Sequence, residues 1–342
     1  RQGYLAAQTN QGQNAIAIGS TAGGSTQGQN AIAIGNQAGN ISQQSGAIGI
    51  GSSAGITQQG INAIAIGSSA GYSTQGSGAI SIGASAGQTA QASNAVAIGS
   101  SAGAFTQGAA AIAIGASFSA TQGAPAFTAQ GQFGIATGVA AGAGTQGTAS
   151  IAIGANAGQT SQGSYSVAIG SLAGGSTQGQ FSIAIGTNAG QNTQGSASIA
   201  IGTNAGQSAQ GSNCIAIGSA AGQTQQGQLG IAIGNAAGRE TQGQYGIAIG
   251  TNAGQSTQGS AAIAIGASAG QISQGTNAIA IGVFAGQTSQ YPGSIFINAS
   301  GALLGDTTYR VTQGTFIRPL RATAAATAVY YNATTFELTY LT

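Results

Sequence analysis

Asn14-Ala15-Ile16-Ala17-Ile18-Gly19 is the stretch whose reading decides the fold of this chain. Its side chains alternate, two isoleucines on one face and two alanines on the other, and alternation with period two marks a half-buried strand. The same stretch returns along the sequence. An Ile or Val stands at Ile16, Ile32, Ile48, Ile64, Ile80, Val96 and Ile112, then at Ile135, Ile151, Val167, Ile183 and onward to Ile279 and Ile295. A second Ile follows two residues later, from Ile18 to Ile297, with Thr137 as the exception. Each unit also carries a Gly after the second Ile, an Ala-Gly pair such as Ala22-Gly23, and one Gln in the series from Gln27 and Gln43 to Gln274 and Gln290. About eighteen such units, each of sixteen residues, fill most of the chain, and a fixed period of this kind identifies a stacked repeat.

The unit predicts an all-β fold, a parallel β-solenoid or β-roll with one coil per repeat. Ile-Ala-Ile is the first strand, and Ser25-Thr26-Gln27 the second. Gly19, Gly23 and Gly28 turn the corners, because glycine takes positive φ without a Cβ clash. Eighteen coils at ~4.8 Å each give a rod about 85 Å long, with like residues aligned into ladders. A Gln ladder can carry amide-to-amide hydrogen bonds. From the sequence the ladder can lie inside the coil or outside it; Glu240, two positions before Gln242, would be buried by an inward one, which tilts the reading toward an outward ladder or a local bulge. One step is irregular: twenty-three residues separate Ile112 from Ile135, which places seven extra residues near 118–130, around Phe118, Pro125 and Phe127.

Bulk is forbidden on the alanine side of the strand. The residue before the first Ile is Ala15, Ala31, Ala63, Gly134, Ser150, Ser166, Ser182, Ser198, Cys214, Gly230 or Gly246. The residue between the isoleucines is Ala except at Gly49, Ser81 and Phe296. With the isoleucines taken as the inner face, the small one is expected to be an assembly face, formed by Ala15, Ala17, Ala31, Ala33, Ala168, Ala200, Ala216 and Ala248. Sister chains would pack on it, most simply as three parallel rods. The expected partner is therefore the chain itself, as a homotrimer or, with rods joined end to end, a polymeric filament.

Composition narrows the function. Three acids, five Arg, no Lys and no His leave 2% charged residues, where soluble domains carry roughly 25%. A formal charge of +2 provides no basic stripe for nucleic acid. No apolar run reaches the ~18–20 residues of a membrane span. Without His or Lys, and with Glu240, Asp306 and Glu337 far apart, the expectation is of no enzyme, no cofactor and no metal site. The Asp-rich calcium repeat of some solenoids is missing. Cys214 occupies a small-residue position and reads as packing. Phe133, Tyr165, Phe181 and Tyr245 recur just before the small residue, as a stripe for glycan stacking or, more simply, for filling grooves between chains. Thr26, Thr74, Thr106, Thr177 and Thr193 make only a partial Thr ladder, which ranks an ice-binding reading low.

The ends differ from the repeats. Gly3-Tyr4-Leu5-Ala6-Ala7 fits the second half of a unit, so residue 1 falls inside a coil and a longer or processed chain is expected. Residues 1–300 read as the shaft and 301–342 as a small β cap. The cap would hold a strand within Tyr309–Ile317 and a hairpin of Val329-Tyr330-Tyr331 with Phe336 to Leu341, covering the open edge of the last coil.

Asn14-Ala-Ile-Ala-Ile-Gly19, Asn94-Ala-Val-Ala-Ile-Gly99 and Tyr165-Ser-Val-Ala-Ile-Gly170 resemble the head repeats of trimeric autotransporter adhesins, over residues 3 to about 298. The resemblance implies a left-handed parallel β-roll that trimerises. Gly314-Thr-Phe-Ile-Arg-Pro-Leu-Arg321, Val329-Tyr-Tyr-Asn332 and Glu337-Leu-Thr-Tyr340 resemble the junction in fibre proteins of large DNA viruses and phages that precedes an endosialidase-type intramolecular chaperone. Together these imply a structural subunit of an extracellular, cell-surface or virion-surface fibre, with an adhesin or glycan-binding shaft as the alternative.

Overall fold

The computed structural model describes residues 2–115, 129–300, 314–318, 329–331 and 338–340. Among them there is no helix, and the chain winds into a β-solenoid of about 17 turns with the expected sixteen-residue repeat. Each turn contributes one three-residue strand such as Ile183–Ile185 and one short strand such as Thr193–Gln194. Strands stack in parallel on their counterparts one turn away, Ile16 on Ile32 and Gln27 on Gln43. The isoleucine strands form a sheet of 19 strands, the last being Thr315–Arg318, and the glutamine strands a sheet of 17. Because a full turn needs one strand of each kind, the shorter sheet sets the number of turns.

Backbone geometry explains why glycine recurs at the corners. Gly19 has φ of 126°, and a Cβ there would lie 2.5 Å from the carbonyl oxygen of Gly35 in the next turn. Gly23, at φ 56°, leaves the space that Gln27 Oε1 occupies, since an added Cβ would lie 2.7 Å from that atom. Both corners therefore need a residue without a side chain. Gly28 departs from the expectation: its φ is not positive, and glycine stands there because a Cβ would lie 2.4 Å from the backbone nitrogen of Ser45 in the next turn.

The interior is the reverse of what the isoleucines suggest. The central residue of each isoleucine strand points inward: Ala17, Ala33, Ala168, Ala200, Ala216 and Ala248 are all 0% exposed. A second alanine column, including Ala157, Ala173 and Ala189, meets the first across the coil. The glutamine that ends each of the seventeen short strands is buried as well, between 0% and 8% exposed. So short a coil encloses room for small side chains such as Ala17, Ala22 and Ala31 beside one extended amide per turn, and isoleucine does not fit. The isoleucines face outward, Ile16 at 45% and Ile18 at 39% exposure.

The inward amide replaces a conventional core. Gln258 Nε2 donates to the carbonyl of Ile247 at 2.7 Å, to that of Ala262 at 3.1 Å and to Gln274 Oε1 in the next turn at 3.1 Å. Buried amides are stable only when their donors are used, and this one ties both corners of its coil together. Ser81 interrupts the alanine column and is accommodated by the same network, receiving from Gln75 Nε2 at 3.3 Å and donating to Gln91 Oε1 at 2.7 Å. The ladder, open to either side in the sequence, therefore lies inside, against the tilt that Glu240 gave. Glu240 lies at the corner before the two-residue strand Thr241–Gln242 and is exposed while Gln242 is buried.

Phe118, Pro125 and Phe127 lie outside the described residues, yet the stack continues past them. Ile112 pairs with Ile135 and Gln107 with Gln130. At the far end, Ile295–Asn298 receives Thr315–Arg318 as a further parallel strand. There the alanine column ends in Phe296, 4% exposed, whose ring stacks on Phe316 at 4.5 Å. Val329–Tyr331 and Leu338–Tyr340 pair antiparallel as the expected hairpin. The remainder of the expected cap, including Tyr309 and Phe336, lies outside the described residues.

Candidate interaction surfaces

The inward alanines move the candidate assembly face to the other side of the strand. Ala17, Ala31, Ala33, Ala168, Ala200, Ala216 and Ala248 are each 0% exposed within one chain, and Ala15 is half-buried. A sister chain cannot reach such atoms, so the small-residue face is the lumen of the coil and not a contact surface. The cause of the error is the pleat: exchanging inside for outside moves every side chain of a strand to the opposite face. Absence of bulk was the correct signal, and the neighbour that forbids it is the far wall of the same coil.

The outward face is apolar along the full stack. Ile66, Ile82, Ile98, Ile114, Ile153, Ile185, Ile217, Ile265 and Ile281 are each 36–41% exposed, and the first isoleucine of the strand is half-buried beside them. Soluble monomers rarely carry a continuous apolar patch above a few hundred Å², and two isoleucine columns over this length reach on the order of a thousand. No charged residue interrupts either column. Sequence reasoning missed this surface by treating apolar residues as interior, although exposed apolar side chains are common.

A second surface runs along the corner that leads into the isoleucine strand. Phe133, Tyr165, Phe181 and Tyr245 stand there at 60%, 57%, 60% and 54% exposure. Leu229 shares their column at 43% exposure and was not singled out from the sequence. All five have positive φ, between 57° and 61°. Asn14, Asn30, Asn62, Asn94, Asn213 and Asn277 hold this conformation in other turns, which suits asparagine. A bulky side chain there is strained by roughly 1–3 kcal/mol. The rings of Tyr165 and Phe181 are stacked, with centroids 5.4 Å apart and planes 3° from parallel.

The exterior of the glutamine sheet is mostly polar, with Ile41, Phe105 and Ile272 as exposed apolar exceptions. Thr26, Thr74, Thr106, Thr177 and Thr193 are exposed beside their buried glutamines, and Gln58, Ala90, Ala129, Ala209 and Gln225 interrupt the column. Half-buried glutamines form an outer ladder, Gln223 to Gln207 and Gln207 to Gln191 at 3.0 Å each. Arg239 occupies this column and pairs with Glu240 at 2.9 Å, the single ion pair among the described residues. Cys214 is 0% exposed, and its thiol donates to the carbonyl of Gly227 at 3.0 Å. Burial raises the thiol pKa, more than nearby backbone hydrogen bonds lower it.

Among the described residues, no three His, Cys, Asp or Glu side chains gather into a metal-binding group, and no helix is long and apolar enough to cross a membrane. Compared with known protein families, with curated proteins and with solved structures, the chain matches none of them.

Proposed function

We propose that this chain is a structural subunit of an extracellular fibre, of a virion or a cell surface, whose shafts assemble as a parallel homotrimer through the outward isoleucine columns. The observation that carries the reading is an apolar face repeated from turn to turn of the parallel stack. Full burial of an isoleucine contributes ~1.5–3 kcal/mol, so covering the exposed 36–45% returns roughly 0.5–1.4 kcal/mol per side chain. Repeated in register along the shaft, so small a gain per turn supports a permanent interface of the obligate, hydrophobic kind. Three narrow faces closing on one axis cover both columns of every chain and leave the polar glutamine sheets outside. The resemblance of the Ala-Ile-Ala-Ile-Gly strands to trimeric head repeats points to the same arrangement.

The fibre reading also accounts for the rest of the surface. Ser, Thr, Asn and Gln carry solubility in place of charge, and the lumen is too narrow to hold a substrate. Mass measurement by light scattering, combined with negative-stain images of the full chain, tests it. The expected result is a mass of three 32.3 kDa chains and straight rods about 80 Å long, from about 17 turns at ~4.8 Å. A single-chain mass at micromolar concentration would overturn the proposal.

A further inference from the structure

We infer that the corner column from Phe133 to Tyr245 is a binding site for a neutral oligosaccharide, with the stacked Tyr165–Phe181 pair as its centre. The inference does not rest on how the shafts assemble.

The column is costly to maintain. Its backbone conformation suits Asn or Gly, which other turns carry, yet Tyr165 and Phe181 hold φ of 59° and 58° in consecutive turns. Strain kept at exposed positions, with no burial to offset it, marks a place where the side chain itself is used. The aromatics are also local. A self-packing face in a symmetric fibre recurs in every turn, as the isoleucines do, whereas this column carries Asn, Gly or Ala from Asn14 to Ala110 and turns aromatic at Phe133. A contact confined to part of the shaft fits a ligand better than a sister chain.

Spacing and chemistry indicate what kind of ligand. Ala149 separates Phe133 from Tyr165, and Ala197 follows Phe181, so the outer faces of the stacked pair are not covered by a neighbouring ring in the same column. Two turns of ~4.8 Å place Phe133 about 9.6 Å from Tyr165 along the stack, room for one six-membered ring at ordinary aromatic stacking distances. The C–H faces of a pyranose suit such a ring, since they present weakly positive hydrogens to a negative π face. Immediately before the aromatics stand Gln132, Ser164, Gln180 and Gln244, neutral amide and hydroxyl groups that can donate to and accept from sugar hydroxyls. Arg239 and Glu240 are the only charged residues between Gly131 and Ala261, and they precede the strand Thr241–Gln242 whereas Tyr245 follows it. The site therefore favours uncharged sugars over sialylated or sulfated ones.

Asparagine and alanine, which this column carries elsewhere, provide variants that keep the fold. The test compares the full chain with the triple variant Tyr165→Asn, Phe181→Asn, Tyr245→Asn on an array of neutral and acidic glycans, with titration calorimetry on the strongest neutral oligosaccharide. The expected result is preferential binding of neutral glycans, at least tenfold weaker in the variant, with unchanged mass and an equal or higher melting temperature. The corresponding alanine triple variant should behave likewise. Equal binding by wild type and variants, binding of acidic glycans alone, or no binding by wild type would overturn the inference. A variant that loses oligomeric mass would assign the column to contact between chains instead, which also overturns it.

Discussion

Cys214 stands in a column that carries Ser198 one turn before and Gly230 one turn after, fully enclosed at 0% exposure. Its thiolate would be desolvated there, which raises the folded pKa, while the unfolded thiol ionises at about pH 8.5. The stability it contributes is thus complete below about pH 8.5 and is lost as pH rises from there toward the folded pKa. Serine at the same position in another turn keeps the local geometry, as Ser182 Oγ donates to the carbonyl of Gly179 at 2.6 Å. Cys214→Ser should therefore remove the thiol's share of any alkaline loss of stability, measured by chemical denaturation between pH 7 and 9.5. In the native wild-type chain the thiol should stay unreactive toward a maleimide until denaturant is added. Rapid native labelling would contradict its placement inside the coil.

At the level of the strand, the two inward side chains make opposite demands. Gln258 serves the carbonyls of Ile247 and Ala262, so Gln258→Leu leaves buried acceptors without that donor and should cost on the order of 2–3 kcal/mol. Ala200, at 0% exposure, has no space for additional carbons, and Ala200→Leu should cost ~1–3 kcal/mol or more through overpacking. Thermal melts followed by far-UV circular dichroism would read both. Sixteen-residue spacing, strand positions and the glycine corners were all legible in the sequence, because each is a pattern of residue types along the chain. Which face turns inward was not. Ile16-Ala17-Ile18 alternates identically in either orientation, and the size of the lumen, which admits small side chains such as Ala17, Ala22 and Ala31 beside Gln27, follows from closing the coil in three dimensions. Glu240 misled for a related reason: the strand it precedes is two residues long, so alternation does not extend back to it.

Over the whole molecule, the same short coil that excludes isoleucine from its interior produces an apolar strip along the shaft. Phe296 closes the alanine lumen where Thr315–Arg318 joins the stack, so the interior changes character at the end of the repeats while the outward strip continues to Ile317, 43% exposed. Backbone ladders between adjacent turns stabilise each chain as a sum of nearest-neighbour contacts. Association would then depend on side chains that folding of the single chain does not require. That separation makes the account open to a direct measurement. Replacing Ile183, Ile185, Ile199 and Ile201 together by Thr, which the chain already carries at Thr137, leaves the coil's interior untouched. Solution mass of this variant beside wild type, with circular dichroism as the check on folding, is the most direct test. The account predicts a wild type of several chains and a variant that keeps its β signal while its mass shifts toward a single chain; a wild type that is already a single chain, or a folded variant of unchanged mass and unchanged dissociation on dilution, would contradict it.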